Sequence, residues 1–514
     1  MPAPRPLFRF AAAPLAAIAV LAACAGVLDE PAAHAATGAW PPAWQDTPEQ
    51  TNTDFTVPRF DPPSASHCRR APSTREVPGG NFGAQGGAGW RDRRGATLAE
   101  APRPSSETPS TAAEPRADRE ELARRAAPAA KSSAADASAG VAAPAEHDSA
   151  ARQWPQPLPP APRQRPPHEP VTAGMVDDNA DFGEYLAFRQ RRAGLPVRER
   201  DIGERYLLEV TDASGRPVHD AEVALQRAGQ AEPVMWARTD TAGRVWVHPR
   251  AFLAPSFANE RTLGVAVRKG GQQARAVLLR GQASSVQVRL GGASNVQRPR
   301  LDLVFLVDAT GSMGDEIAKL KSSMRAMSQQ ISQLPGQPDI CYGLVAYRDR
   351  GDAFLTRTHD FTDELGAFQQ MLARVQAGGG GDTPEALNEA LHEVVHGLSW
   401  RTDAARLVVL VADAPPHLDY GGPQYDVDMQ AALAKGIKLF AVGASGLDPV
   451  GEYIYRQIAQ YTAGRFVFLT YKDASDPSSG PGTQTPHDVR NYSVQTLDRL
   501  IVRLVGEELA RLKT

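Results

Sequence analysis

Three short stretches hold oxygen-bearing side chains in a pattern that suits metal chemistry: Asp308-Ala309-Thr310-Gly311-Ser312-Met313, Gly380-Gly381-Asp382-Thr383-Pro384-Glu385 and Ala412-Asp413-Ala414-Pro415-Pro416. Brought together, Asp308, Thr310, Ser312, Thr383 and Asp413 offer two carboxylates and three hydroxyls. Hard divalent cations such as Mg²⁺ or Mn²⁺ take oxygen ligands in octahedral array. Hydroxyls and water-bridged carboxylates hold such an ion without neutralising it, so it keeps an open position for a carboxylate offered by a partner. Helix capping competes for the same residue types, because Asp308 and Thr383 stand where N-caps belong. The order of the three stretches, each beside an apolar strand or helix, favours the metal site over three separate caps.

The elements that must position them alternate. Residues 301–307, 340–347, 406–411, 436–442 and 465–469 read as strands, 315–334 as an amphipathic helix, and 425–434 and 449–461 as helical segments before the last two strands. This order predicts an α/β fold, a doubly wound and mostly parallel sheet with helices on both faces over residues 300–512. Its ligand site lies beyond the carboxyl ends of the strands.

The constellation resembles the metal-ion-dependent adhesion site of von Willebrand factor type A domains, whose motif is Asp-x-Ser-x-Ser, then a distant Thr, then a distant Asp. Asp308 and Ser312 match the outer places, Thr310 replaces the middle Ser and keeps the hydroxyl, Thr383 matches the Thr and Asp413 the second Asp. The resemblance implies that Ser312, Thr383 and Thr310 touch the metal, with Asp308 and Asp413 acting largely through water. It implies binding of a protein ligand through an acidic side chain, and no enzymatic activity.

His392-Glu393-Val394-Val395-His396 spells the zinc-peptidase motif and sets up a rival reading. At about 100° per residue Leu387, Leu391, Val394, Val395 and Leu398 form one apolar stripe. His392 and His396 then lie about 120° and 160° from its centre, which places them in solvent without a close third ligand. A weak surface zinc site is more plausible there than a peptidase. Gly378 to Gly381 lack the Gly-Lys-Ser/Thr of a nucleotide loop. Arg348 and Asp349 form a salt bridge or line the rim of the site.

The chain of 514 residues carries 43 Pro, 44 Gly and 7% aromatic residues, which predicts two or three folded units plus disorder. Its 56 basic and 59 acidic residues give a net charge of -3, against a nucleic-acid partner. Cysteines at 24, 68 and 341 rule out a disulfide scaffold and a Cys-rich zinc module. Cys68 has no obvious partner and reads as an unpaired thiol in preference to a disulfide with Cys341, which itself reads as a small core hydrophobe.

Arg5 and Arg9 precede an apolar run over residues 10–22, the length of a signal-peptide core and too short for a stable bilayer span. It ends in Leu21-Ala22-Ala23-Cys24, which resembles the bacterial lipobox. The resemblance implies removal of residues 1–23 and lipidation of Cys24, hence an anchored protein of the bacterial cell envelope. Ala25 in place of Asp implies the outer membrane. Residues 24–170 show no sustained period and read as a disordered Pro/Ala-rich tether with a reach on the order of 60 to 70 Å. Residues 171–200 form a short helical lead-in. Seven short alternating strands over residues 201–292 predict a small β-sandwich. Asp212-Ala213-Ser214-Gly215-Arg216 and Asp240-Thr241-Ala242-Gly243-Arg244 within it resemble the turns of carboxypeptidase-regulatory-like domains of the transthyretin type, which implies a spacer or binding module.

Overall fold

A computed structural model describes residues 68–80, 169–227, 230, 232–253, 259–282, 285–292, 298–381 and 383–512. The expected signal peptide, Cys24 and most of the expected tether lie outside these residues.

In chain order the elements are β1 (Thr74–Val77), β2 (Thr172–Val176), α1 (Phe182–Arg191), β3 (Tyr206–Thr211), β4 (Glu222–Arg227), β5 (Pro233–Arg238), β6 (Arg244–Val247), α2 (Pro249–Phe252), β7 (Thr262–Lys269), β8 (Gln272–Leu279) and β9 (Ser285–Arg289). They continue with β10 (Arg300–Asp308), α3 (Ile317–Ser332), β11 (Asp339–Tyr347), β12 (Thr356–Thr362), α4 (Leu365–Arg374), α5 (Leu387–His392), β13 (Ala404–Ala412), α6 (Tyr425–Ala434), β14 (Ile437–Gly443), α7 (Pro449–Tyr461), β15 (Arg465–Asp473), β16 (Asp476–Pro481), β17 (Gln495–Thr496) and α8 (Leu497–Arg511). The large sheet runs β1-β12-β11-β10-β13-β14-β15-β2-β17. Its centre, β11-β10-β13-β14-β15, is parallel, and its flanks are antiparallel.

The near-continuous apolar runs of β10 and β13 suit strands covered on both faces. Side chains alternate between those faces. On one, Leu303, Phe305 and Val307 pack with Leu320 and Met324 of α3, Phe368 of α4 and Leu504 of α8. On the other, Val304 and Leu306 join Leu391 of α5, Met429 of α6 and Ile458 of α7. The layering is the expected one, with α4, α8, β12 and the short edge strands as elements that the periodicity did not reveal.

The sheet also recruits two pieces from outside the expected domain. Residues 68–80, expected as tether, supply β1, which pairs antiparallel with β12 through Thr74↔His359 and Val77↔Thr356. Cys68, expected to be unpaired, forms a disulfide with Cys341 of β11, with a Cα–Cα distance of 6.0 Å across 273 positions of sequence. A four-residue strand has no readable period, and only the assembled sheet brings its cysteine beside β11. The expected helical lead-in contains β2, inserted between β15 and β17. Gly174 of β2 is required there, since a Cβ would stand 2.6 Å from the Phe468 ring and 2.8 Å from that of Tyr492.

The seven strands β3–β9 form two smaller sheets, β6-β3-β9 and β5-β4-β7-β8. Leu208, Val210 and Val288 of one and Val223, Leu225 and Val267 of the other are buried in one cluster. Each of the two related turns closes on an aspartate: Asp212 Oδ1 accepts from Ser214 N at 2.8 Å and Arg216 N at 3.0 Å, and Asp240 Oδ1 from Ala242 N and Arg244 N, both at 2.9 Å. Gly243 adopts φ +70 in the second, where a Cβ would approach Val210 O to 2.6 Å. These sheets join the large one through buried charge. Asp220 receives Arg406 at 2.8 Å and Arg238 at 3.0 Å. Thr241 Oγ1 donates to Glu508 Oε2 at 2.5 Å, and Lys438 Nζ meets Glu508 at 2.8 Å.

Candidate metal centre

Asp308 is the last residue of β10, and Asp413 directly follows β13, the adjacent parallel strand in register through Val307↔Val411. Two neighbouring strands thus end in a carboxylate at the same edge. The next residues close the cluster. Thr310 donates to Asp308 Oδ1 from its backbone N at 2.9 Å and from its hydroxyl at 2.6 Å. The hydroxyls of Thr310 and Ser312 lie 3.1 Å apart, and Ser312 Oγ donates to Asp413 Oδ1 at 3.1 Å. Asp308 and Thr310 are fully buried, while Ser312 faces solvent. The cluster is a short chain of oxygens running from the end of the sheet to the surface.

The glycine run 378–381 wraps over it. Gly378 N donates to Ala309 O at 3.1 Å, and Gly311 N to Gly379 O at 2.9 Å. Gly380, at φ +63, leaves space that a side chain would fill, since a Cβ there would stand 3.2 Å from Thr310 Cβ and 2.9 Å from Glu385 Oε1. The room needed by Thr310, bulkier than the Ser of the motif, is supplied on this side.

Acidic groups gather around the chain with few counter-charges. Burial and then the charge of Asp413 push the Asp308 carboxyl up to about 7. Burial, followed by Asp308, Asp349, Asp352 and Asp413, pushes Glu385 up to about 9. Glu385 Oε2 is buried without a hydrogen-bond partner among the described residues, and the Tyr347 hydroxyl stands beside the buried Asp308 carboxylate in addition to Thr310. Several carboxylates buried close together without a facing cation carry a large desolvation and repulsion cost, which a bound cation would relieve. An all-oxygen donor set with surplus negative charge and an unpartnered Glu385 oxygen fits a hard divalent cation.

Glu385 and Asp352 are components that the sequence reading did not assign. Glu385 docks on the segment after Asp413, its N donating to Pro415 O at 3.0 Å. Asp352 Oδ2 accepts from Asp349 N at 3.0 Å and Gly380 N at 2.8 Å, which holds the glycine loop down. Arg348 and Asp349 are not paired with one another: Arg348 donates to Gln376 O at 3.0 Å, and Asp349 lies 2.8 Å from His417 Nε2. Thr383 sits on the neighbouring loop, exposed, with no side-chain hydrogen bond to the other four. The rival capping role fails for both residues invoked. The helix after Thr383 begins at Leu387 with Ala386 as its cap, and α3 begins at Ile317 with Glu316 as its cap.

The histidines differ from expectation. His392 and His396 are not in solvent; both meet Asp428 of α6, at 3.0 and 3.1 Å. Helix α6 packs over the face opposite the apolar stripe, so this helix is covered on two sides. Glu393 is buried and paired with Arg75 of β1.

Among known proteins, the sequence profile of the von Willebrand factor type A domain matches residues 302–476. Alpha-protein kinase vwkA of Dictyostelium discoideum is 32% identical over 119 residues, which cover 23% of this chain and 19% of the kinase. Von Willebrand factor A domain-containing protein 7 of Homo sapiens is 38% identical over 93 residues, covering 18% of this chain and 10% of that protein. The chain therefore spans less than a fifth of the length of either relative. A solved pilus adhesin, SpaC from Lactobacillus rhamnosus GG, aligns at 14% identity with a TM-score of 0.26, covering 41% of this chain and 31% of the adhesin, an overlap too slight to carry an argument. Residues 302–476, with their parallel core and the Asp308-Thr310-Ser312 and Asp413 loops at one edge, are a von Willebrand factor type A domain.

Proposed function

We propose that this domain binds a protein partner through a divalent cation, Mg²⁺ or Mn²⁺, held by Asp308, Thr310, Ser312, Thr383 and Asp413. The supporting observation is the oxygen chain from Asp308 to Asp413, with the buried carboxyl of Glu385 beside it and burial followed by carboxylate repulsion raising Asp308 and Glu385. When bound, the cation supplies a positive centre with an open position for an acidic side chain. The protein's own residues set that up. Asp308 and Asp413 provide the buried charge, Thr310 orients Asp308, Ser312 carries the chain to the surface, and the glycine loop brings Thr383 to the rim. The role is binding rather than catalysis.

The rest of the chain serves presentation. In this reading Cys24 carries a lipid anchor at the bacterial envelope, and the stretch after it holds the head clear of the outer membrane. The Cys68–Cys341 disulfide suits an oxidising compartment outside the cytosol. The sheets of β3–β9 act as a spacer of the carboxypeptidase-regulatory-like type. A peptidase at His392 and His396 is disfavoured, because Glu393, which would have to be its base, is tied to Arg75.

Thermal unfolding of the full chain in chelator and then in Mg²⁺ or Mn²⁺ tests the reading. An ion at a hundredfold excess over its Kd stabilises the native state by about 2.7 kcal/mol. The expected stabilisation is lost in Asp308→Ala, together with metal-dependent retention of an aspartate-containing peptide. Indifference of the wild-type chain to chelator would instead mark a structural envelope component that never loads metal.

A further inference from the structure

We propose that His392, His396 and Asp428 form a second metal site, separate from the oxygen cluster, that takes a borderline transition-metal ion, Zn²⁺ foremost. His392 ends α5, His396 lies in the π-helical turn Glu393–Gly397 that follows, and Asp428 lies in the first turn of α6. His392 Nδ1 stands 3.0 Å from Asp428 Oδ1 and 3.3 Å from Oδ2, and His396 Nε2 stands 3.1 Å from Oδ1. The imidazole centroids are 4.4 Å apart, and the three ligand atoms lie within 4.8 Å of one another.

The spacing suits coordination. A tetrahedral zinc with bonds of about 2.0–2.2 Å has ligand–ligand edges of about 3.3–3.5 Å, close to these separations. Small rotations of the two rings away from direct hydrogen bonding to Asp428 would admit the ion. Two imidazoles and one carboxylate are the donors that zinc favours, with a fourth position left for water or an incoming ligand. The same donors are poor for Mg²⁺, which demands oxygen. Access is graded: the side chains of Asp428 and His392 are 2% and 7% exposed, and that of His396 is 12%, so the ion enters past His396. The local helix is already adapted. Its π-helical turn spans the second histidine, and such turns recur at functional sites.

The chemistry of the site is structural rather than hydrolytic. A zinc peptidase needs a carboxylate poised over the metal-bound water, and Glu393 is engaged by Arg75 instead. A bound ion instead ties α5 and its π-helical turn to α6, two elements that cover one face of the large sheet.

The test uses the full chain, stripped of metal and then held in excess Mg²⁺ so that the oxygen site is filled. Zn²⁺ is titrated against a chromophoric chelator, and Co²⁺ is followed by its visible d–d bands. Wild type and Asp308→Ala should each take one Zn²⁺ per chain and develop the Co²⁺ bands. His396→Gln, at the partly exposed position and close in size, should keep the circular dichroism of the wild type, lose the bands and bind Zn²⁺ at least about tenfold more weakly, the lower end of what a metal-site substitution costs. His392→Ala should do the same. The absence of Zn²⁺ uptake in excess Mg²⁺, or uptake unchanged in a folded His396→Gln, overturns the proposal. Loss of uptake in Asp308→Ala with retention in His396→Gln assigns the ion to the oxygen cluster and overturns it equally. Because Asp308→Ala separates the two sites, failure here leaves the proposed protein-binding site standing.

Discussion

The oxygen cluster at the ends of β10 and β13 and the imidazole cluster between α5 and α6 belong to one domain but are built by opposite means. Strand register builds the first: two adjacent parallel strands end together, and the residues just beyond them meet. Helix packing builds the second, in which two histidines on one helix find their carboxylate on another. Their electrostatics differ accordingly. At the oxygen cluster, carboxylates crowd one another and burial raises Asp308 and Glu385. At the imidazole cluster, burial alone would raise Asp428, but His392 and His396 outweigh it and hold its carboxyl below the ordinary range. One site lacks positive charge without a cation, while the other is already partly compensated by its own rings. The contrast teaches that similar metal-capable clusters can strain or support the metal-free fold.

The same chemical change should therefore have opposite signs at the two places. Asp428→Asn removes the carboxylate shared by the buried His392 and the half-buried His396 and should destabilise the metal-free protein by about 1–3 kcal/mol, as loss of a buried hydrogen-bonding partner does. Denaturant unfolding in chelator measures it, and an unchanged stability would contradict a buried contact that supports the metal-free fold.

The disulfide anchors the strand that supplies Arg75 to Glu393, so it supports the helical side in particular. Cys68→Ser with Cys341→Ser should cost about 2–5 kcal/mol. Hydrogen exchange should show the amides of β1 opening first, and an unchanged β1 would mean that strand pairing alone holds it.

Asp308→Asn should do the reverse of Asp428→Asn, stabilising the chelated protein by about 1–3 kcal/mol while abolishing its response to Mg²⁺, since an unfavourable buried charge is removed. The pH dependence follows the same sign. Asp308 at about 7 and Glu385 at about 9 lie above their unfolded values, so the native state binds more protons in between. In chelator their cost is present at pH 9 and above and is relieved as pH falls from about 9 toward 5, raising stability. Unfolding midpoints across that range, compared between wild type and Asp308→Asn, should show a steeper slope in the wild type.

The smallest effect is expected at Thr310→Ser. It keeps the hydroxyl that bonds Asp308 and removes a methyl for which Gly380 leaves space, so stability and Mg²⁺ affinity should change by less than about 1 kcal/mol. A larger change would show that the methyl shapes the site.

How much of this was legible follows from the kind of contact involved. Strands 300–308, 404–412 and 437–443 were readable because a strand buried on both faces must be apolar throughout, and their order placed Asp308 and Asp413 at one edge. Helices α6 and α7 lie where the strand–helix alternation placed helical segments. His392 and His396 were misplaced because an apolar stripe reports only the face that meets the sheet. When other elements cover the remaining faces with polar groups, residues are buried without any hydrophobic signal: Asn388 and His392 against α6, Glu389 against Arg350 and Tyr420, and Glu393 against Arg75 of β1.

Amino-acid order by itself determined the α/β alternation, the seven short strands of β3–β9 and four of the five proposed oxygen ligands that now sit within one hydrogen-bonded chain or at its carboxylate ends. These depend on local pattern, where side-chain period and strand ends suffice. Only the tertiary structure decided the Cys68–Cys341 bond, the recruitment of β1 and β2, the charge state of Glu385 and the meeting of Asp428 with the two histidines. Each joins residues far apart in the chain, and burial with its electrostatic consequences exists only once both partners have been brought together.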